Sequence, residues 1–150
     1  MIHLFAALAA AALGLGAPAH AQTAAPAAAW TWTLYEGEGP LVLANEIPDT
    51  PRLRATLECD PGSGVTRVSL YETQAPAGFA TARSGQATAA VEVSNTRGRL
   101  QTALRTDHPV FAAFAAGGRL ELEFADSEHA VEIGRAALPR LRRFAELCSG

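Results

Sequence analysis

The feature that most constrains this chain is a period-two alternation of apolar and polar residues, repeated in short runs. Leu53, Ala55, Leu57 and Cys59 fall on one side of such a run, with Arg54, Thr56 and Glu58 on the other. Successive side chains of a strand point to opposite faces, so the run reads as a half-buried β-strand. Trp30, Trp32 and Leu34 alternate with Thr31, Thr33 and Tyr35 in the same way. So do Ala87, Ala89, Val91 and Val93, then Leu100, Thr102 and Leu104, then Leu120, Leu122 and Phe124. Residues 41–45, 65–71, 79–83 and 129–133 are shorter apolar runs of the same kind.

The runs are separated by residues that turn the chain. Asp60-Pro61-Gly62-Ser63-Gly64 lies between two runs, so residues 53–71 read as a hairpin with a five-residue loop. Ser84-Gly85 and residues 95–98 are two more turns, and residues 74–78 form a Pro/Gly loop. Two stretches break the alternation. Asp107 reads as an N-cap, Pro109 suits a first helical turn, Phe111 and Phe114 are three apart, and Gly117-Gly118 ends the segment. Leu138, Leu141, Phe144, Ala145 and Cys148 follow helical spacing and predict a terminal helix over about 139–148. The expected fold is mainly β: an antiparallel sandwich or small barrel of about eight short strands, with a short inserted helix and a C-terminal capping helix.

Residues 1–21 read differently. An apolar stretch from Leu4 to Leu15 is followed by Ala19-His20-Ala21. A transmembrane helix needs about 20 apolar residues, so this run is too short to span a bilayer. With small residues before the cut, it predicts a signal peptide cleaved after Ala21. It departs from the usual pattern in having only the N-terminal amine and His3 ahead of the apolar core. Residues 22–29 are an Ala/Pro spacer expected to be disordered, leaving a single β-rich domain over 30–150. The expected location is the periplasm or the exterior. No later run is long enough to predict a transmembrane segment in the mature protein.

Both cysteines, Cys59 and Cys148, lie in that mature part, 89 positions apart. An even number of cysteines in an exported chain predicts a disulfide. A redox or metal pair is the rival. There is no Cys-x-x-Cys, and no His adjoins either cysteine.

The 150 residues carry a net charge of -3, and every basic side chain is Arg. That balance excludes a sequence-independent nucleic-acid binder. No phosphate loop, dinucleotide fingerprint or nucleophile elbow is present, and no cofactor is implied. Gly62-Ser63-Gly64 reads as turn chemistry. His108 and His129 would need to meet to form a metal or acid–base site, yet a strand separates them. No catalytic residue and no metal ligand is assigned.

The candidate binding residues are Trp30 and Trp32, which share a face and could stack a sugar or line a peptide groove, and Arg140, Arg142 and Arg143 on the last helix. The arginines could meet a lipid headgroup or a cell-wall polymer, and Arg142 and Glu146 have the spacing of a helical ion pair.

Ala44-Asn45-Glu46-Ile47-Pro48-Asp49-Thr50-Pro51 leads into the strand ending at Cys59, then into Gly62-Ser63-Gly64, and a final helix carries Cys148. This arrangement resembles an uncharacterised family of small exported alphaproteobacterial proteins. The resemblance implies export, a cysteine pair and a β-rich fold, and supplies no activity. Together these readings suggest a non-enzymatic binding or structural protein of the cell envelope, whose partner is an envelope protein or cell-wall component. One alternative is an inhibitor of a lysozyme-type cell-wall hydrolase, acting through the loops at 36–40 and 73–78. A small periplasmic enzyme is the second.

Overall fold

A computed structural model describes residues 29–150. The expected signal peptide and nearly all of the expected spacer lie outside the described residues. Among the described residues there are nine strands: β1 (Thr31–Tyr35), β2 (Leu41–Glu46), β3 (Leu53–Cys59), β4 (Val65–Leu70), β5 (Gly78–Ser84), β6 (Ala87–Thr96), β7 (Arg99–Arg105), β8 (Arg119–Glu123) and β9 (Glu128–Glu132). Helix α1 (Pro109–Gly117) precedes β8, and helix α2 (Leu138–Ser149) follows β9.

All nine strands belong to one antiparallel sheet in the order β1-β2-β3-β4-β7-β6-β5-β8-β9. The sheet curls into a half-barrel, so the mainly β fold expected from the alternation is observed in its barrel-like form. Strand twist supplies the curl, because each strand is rotated relative to its neighbour by roughly 20–25°. Both helices lie against the sheet: α1 packs on β5, β6 and β8, α2 packs on β1, β2 and β4, and the helices touch each other.

The core lies between sheet and helices. The inward faces contribute Leu43, Leu57, Val68, Val93, Leu100, Leu120 and Leu122. The helices contribute Phe111, Phe114, Leu141 and Phe144, all fully buried or nearly so. Phe111 and Phe114 meet edge to face at 6.4 Å, a geometry that suits the ring quadrupoles. Each large aromatic buried here contributes roughly 2–3 kcal/mol.

The predicted Cys59–Cys148 disulfide is formed, with a Cα–Cα distance of 5.9 Å and both residues buried. It acts with the β3–β4 turn. Gly62 and Gly64, both at φ 70°, direct their N–H groups to the carbonyls of Leu147 and Cys148, each at 2.9 Å. These are carbonyls that a helix end leaves unpaired, so the turn serves as a C-terminal cap of α2 in trans. The bridge and the cap together pin α2 to the body of the domain.

One local expectation fails. Asp107 does not cap α1. The cap is His108, whose Nδ1 accepts from the Val110 N–H at 3.1 Å. Arg105 holds Asp107 in a two-pronged pair, with Nε donating to Oδ1 at 2.9 Å, and lowers its carboxyl pKa. At the other end of α1, Gly118 takes φ 79° and donates to the Phe114 carbonyl at 2.7 Å, as the paired glycines imply.

Candidate functional site: a seam between the sheet edges

The half-barrel leaves two edge strands. β1 pairs only with β2, and β9 only with β8. The curl brings them toward each other, and Trp32 spans the gap. Its Nε1–H donates to the Glu132 carbonyl at 3.1 Å, a contact between residues 100 positions apart. The ring is buried, at 8% exposure. Trp32 thus bridges the two edges of an incompletely closed barrel.

The free edge of β9 follows from its ladder. Ile133 donates to Gly118 and Phe124 donates to Ser127, which sets the pairs that exchange hydrogen bonds between β8 and β9. Antiparallel pairs alternate, so Val131 and His129 turn their backbone groups toward β8. Glu128, Ala130 and Glu132 turn theirs away, toward the seam. The Glu132 carbonyl, taken by Trp32, fits that assignment.

A cleft of about 410 Å³ follows the seam, lined by Trp30, Trp32, Asn45, Arg54, Ala130 and Glu132 among others. That is within the range of small-ligand sites, roughly 300–1,000 Å³. Trp30 is half-buried. Arg54 lies over its ring at 4.0 Å and Arg52 at 5.3 Å. Guanidinium on an indole face is a favourable cation–π contact. Neither arginine has a carboxylate partner among the described residues. The Asn45 amide donates to the Thr31 carbonyl at 3.4 Å.

The outer face of β8 and β9 carries four glutamates, each in contact with one of two arginines. Arg83 holds Glu123 in a bidentate pair at 2.6 and 3.0 Å, and lowers its carboxyl pKa. Arg119 reaches Glu121, Glu128 and Glu132. The Glu132 carboxylate at the seam therefore has a cationic partner, shared with Glu121 and Glu128, while Arg52 and Arg54 have no carboxylate partner among the described residues.

The structure separates the two tryptophans singled out in the sequence. Trp32 seals the seam from within, and Trp30 stays accessible beside it. Arg140, Arg142 and Arg143 are exposed on α2, away from the residues that line the cleft. Arg143 pairs with Glu36 at 3.5 Å, tying α2 to the β1–β2 turn. The spacing-based Arg142–Glu146 pair does not form among the described residues, and both side chains are exposed.

The loops at 36–40 and 73–78 leave opposite ends of the sheet. The first adjoins Tyr35 and Leu41, at the Cys59 end of β3. The second follows Leu70, which pairs with Ala55 toward the other end. They do not form one surface. His108 and His129 are likewise on opposite sides of the sheet's length: His108 follows Arg105, which pairs with Val65, whereas His129 adjoins the Glu123–Glu128 pair. His129 packs edge to face on Phe124 at 6.0 Å. Among the described residues, no cluster of His, Cys, Asp and Glu has the arrangement of a metal site. None of their helices is long and apolar enough to cross a membrane.

Sequence reasoning missed Arg52, Arg54 and the β9 edge. The basic pair straddling residue 53 was the available signal. Its meeting with Trp30 depends on strand register and curl. Comparison with family models, curated proteins and solved structures finds no match.

Proposed function

We propose that this is an exported, non-enzymatic protein of the bacterial envelope that binds a partner through the seam between β1 and β9. The observation that carries the reading is the open seam itself, where unpaired backbone, an accessible indole and two guanidiniums without acidic partners converge. A rigid scaffold that leaves such groups unsatisfied provides adhesion and positioning without any acid–base or nucleophilic pair. The buried Cys59–Cys148 bridge supports the location, since disulfides persist in oxidising compartments such as the periplasm. The apolar leader ending in Ala19-His20-Ala21 agrees with it.

Cell fractionation tests the reading. The full chain should be released by osmotic shock with its thiols protected from alkylation. A version lacking residues 2–21 should remain inside with both thiols free. Full chain retained in the cytosol, with alkylatable cysteines, overturns the export reading.

A further inference from the structure

We infer that the seam binds an extended, acidic segment of a partner protein, which adds as a strand to the free edge of β9 and places a carboxylate on Arg54. This rests on the seam being the binding site and names its ligand.

Three observations carry the inference. First, Glu128, Ala130 and Glu132 direct backbone groups to the seam, and among the described residues only the Glu132 carbonyl has a partner there. Main-chain groups along a free edge bind an extended peptide by strand addition and are indifferent to its side chains. Specificity must then come from what flanks the edge. Second, Arg52 and Arg54 flank it and lack carboxylate partners, whereas every acid on the outer face of β8 and the Glu132 carboxylate of β9 has an arginine. The two guanidiniums are the charged groups here without an opposite charge among the described residues, and their complement is an anion. Arginine forms two parallel hydrogen bonds with a carboxylate, and stacking on Trp30 holds the Arg54 guanidinium in place for it. Third, a cleft of about 410 Å³ takes in Ala130, Val131 and Glu132 of β9 together with Trp30, Trp32 and Arg54, and Trp32 closes it at the Glu132 carbonyl. Space remains beside Ala130, whose small side chain leaves the edge unobstructed.

An edge strand with exposed hydrogen-bonding groups is otherwise a hazard for self-association. Here β9 carries Glu128 and Glu132, which share the one Arg119 with Glu121, so a carboxylate laid directly opposite them is repelled, whether on a second β9 or on a partner strand. A partner strand bearing Asp or Glu must therefore reach across to the arginines on the β1 side, which fixes its direction and register.

The test uses purified, disulfide-bonded protein and a blocked heptapeptide of alternating valine and glutamate. Two control peptides are needed: one with glutamine for glutamate, and one with a central proline. Both tryptophans lie at the seam, so indole fluorescence reports binding, and calorimetry confirms it. The glutamate peptide should bind at least ten-fold more tightly than either control. Arg54→Ala should weaken it at least ten-fold, with Arg54→Lys recovering part of the loss. Ala130→Pro should abolish binding while preserving the fold, because that N–H points away from β8 and proline is tolerated on an edge. A peptide that does not bind up to millimolar concentration overturns the inference. So does equal binding of the glutamine peptide, or binding unaffected by both Ala130→Pro and Arg54→Ala. Sedimentation showing a dimer that Ala130→Pro dissolves would assign the edge to a second copy and overturn it as well. Export is scored separately by fractionation, so failure of binding and failure of the envelope reading are distinguishable.

Discussion

Replacing both cysteines, as Cys59→Ala with Cys148→Ala, should remove much of the stability of this domain. The bridge spans 89 positions, and closing a loop of that size costs the unfolded chain about 15 cal/mol/K on the chain-entropy model. At 25 °C that is about 4.6 kcal/mol lost with the bridge. Both residues are buried, so the missing sulfur atoms leave a void that adds about 1 kcal/mol. Alanine rather than serine avoids stranding a hydroxyl in the hydrophobic core. The turn-to-helix hydrogen bonds from Gly62 and Gly64 survive in the folded variant, so the fold itself should persist. Domains of this size are stable by about 5–15 kcal/mol, so the loss is a third or more of the total. The melting temperature should fall by about 20–25 °C, at about 4 °C per kcal/mol. Far-UV circular dichroism against temperature and urea measures both quantities. A loss below about 1 kcal/mol would refute the argument that the bridge, rather than packing alone, pins α2.

Three further outcomes are expected. Gly118→Ala should destabilise by at least about 2 kcal/mol, because the residue is left-handed and its Cβ would sit 2.3 Å from the Ile133 carbonyl; a melting curve like that of the parent would contradict this. His108→Ala should cost about 1 kcal/mol through the lost cap on α1, whereas Asp107→Ala should cost less, and urea titration of the two variants separates them. Arg83 lowers the Glu123 pKa through the bidentate pair, so this carboxylate contributes stability above its unfolded pKa and loses it as pH falls through the folded one. In Arg83→Gln, carbon-detected NMR should find Glu123 titrating higher, back in the usual carboxylate range; an unchanged titration would dispose of the pairing.

The alternation of Ala55, Leu57 and Cys59 made β3 legible, because a two-residue period needs no knowledge of neighbours. The same holds for the stripe of Leu141, Phe144 and Cys148, and the two readings together placed both cysteines on buried faces. The cap of α1 was not legible in that way. Asp107 and His108 are both capable caps, and the choice fell to Arg105, which claims the aspartate from two residues upstream. The seam was still further from view. It depends on how far the strands curl, and a hydrogen bond across it joins Trp32 to a backbone atom 100 residues away. No local pattern carries that distance. Trp30 and Trp32 looked alike in sequence, and only the position of β9 makes one a seal and the other a surface.

Whether the barrel is open at this seam is best decided by amide hydrogen exchange, read residue by residue by NMR in the protein without ligand. The amides of His129, Val131 and Ile133 face β8 and should be protected. Those of Ala130 and Glu132 face the gap and should exchange at least a hundred-fold faster. Equal protection along β9 would mean that β1 and β9 are paired in solution, and the binding edge argued from the structure would not exist.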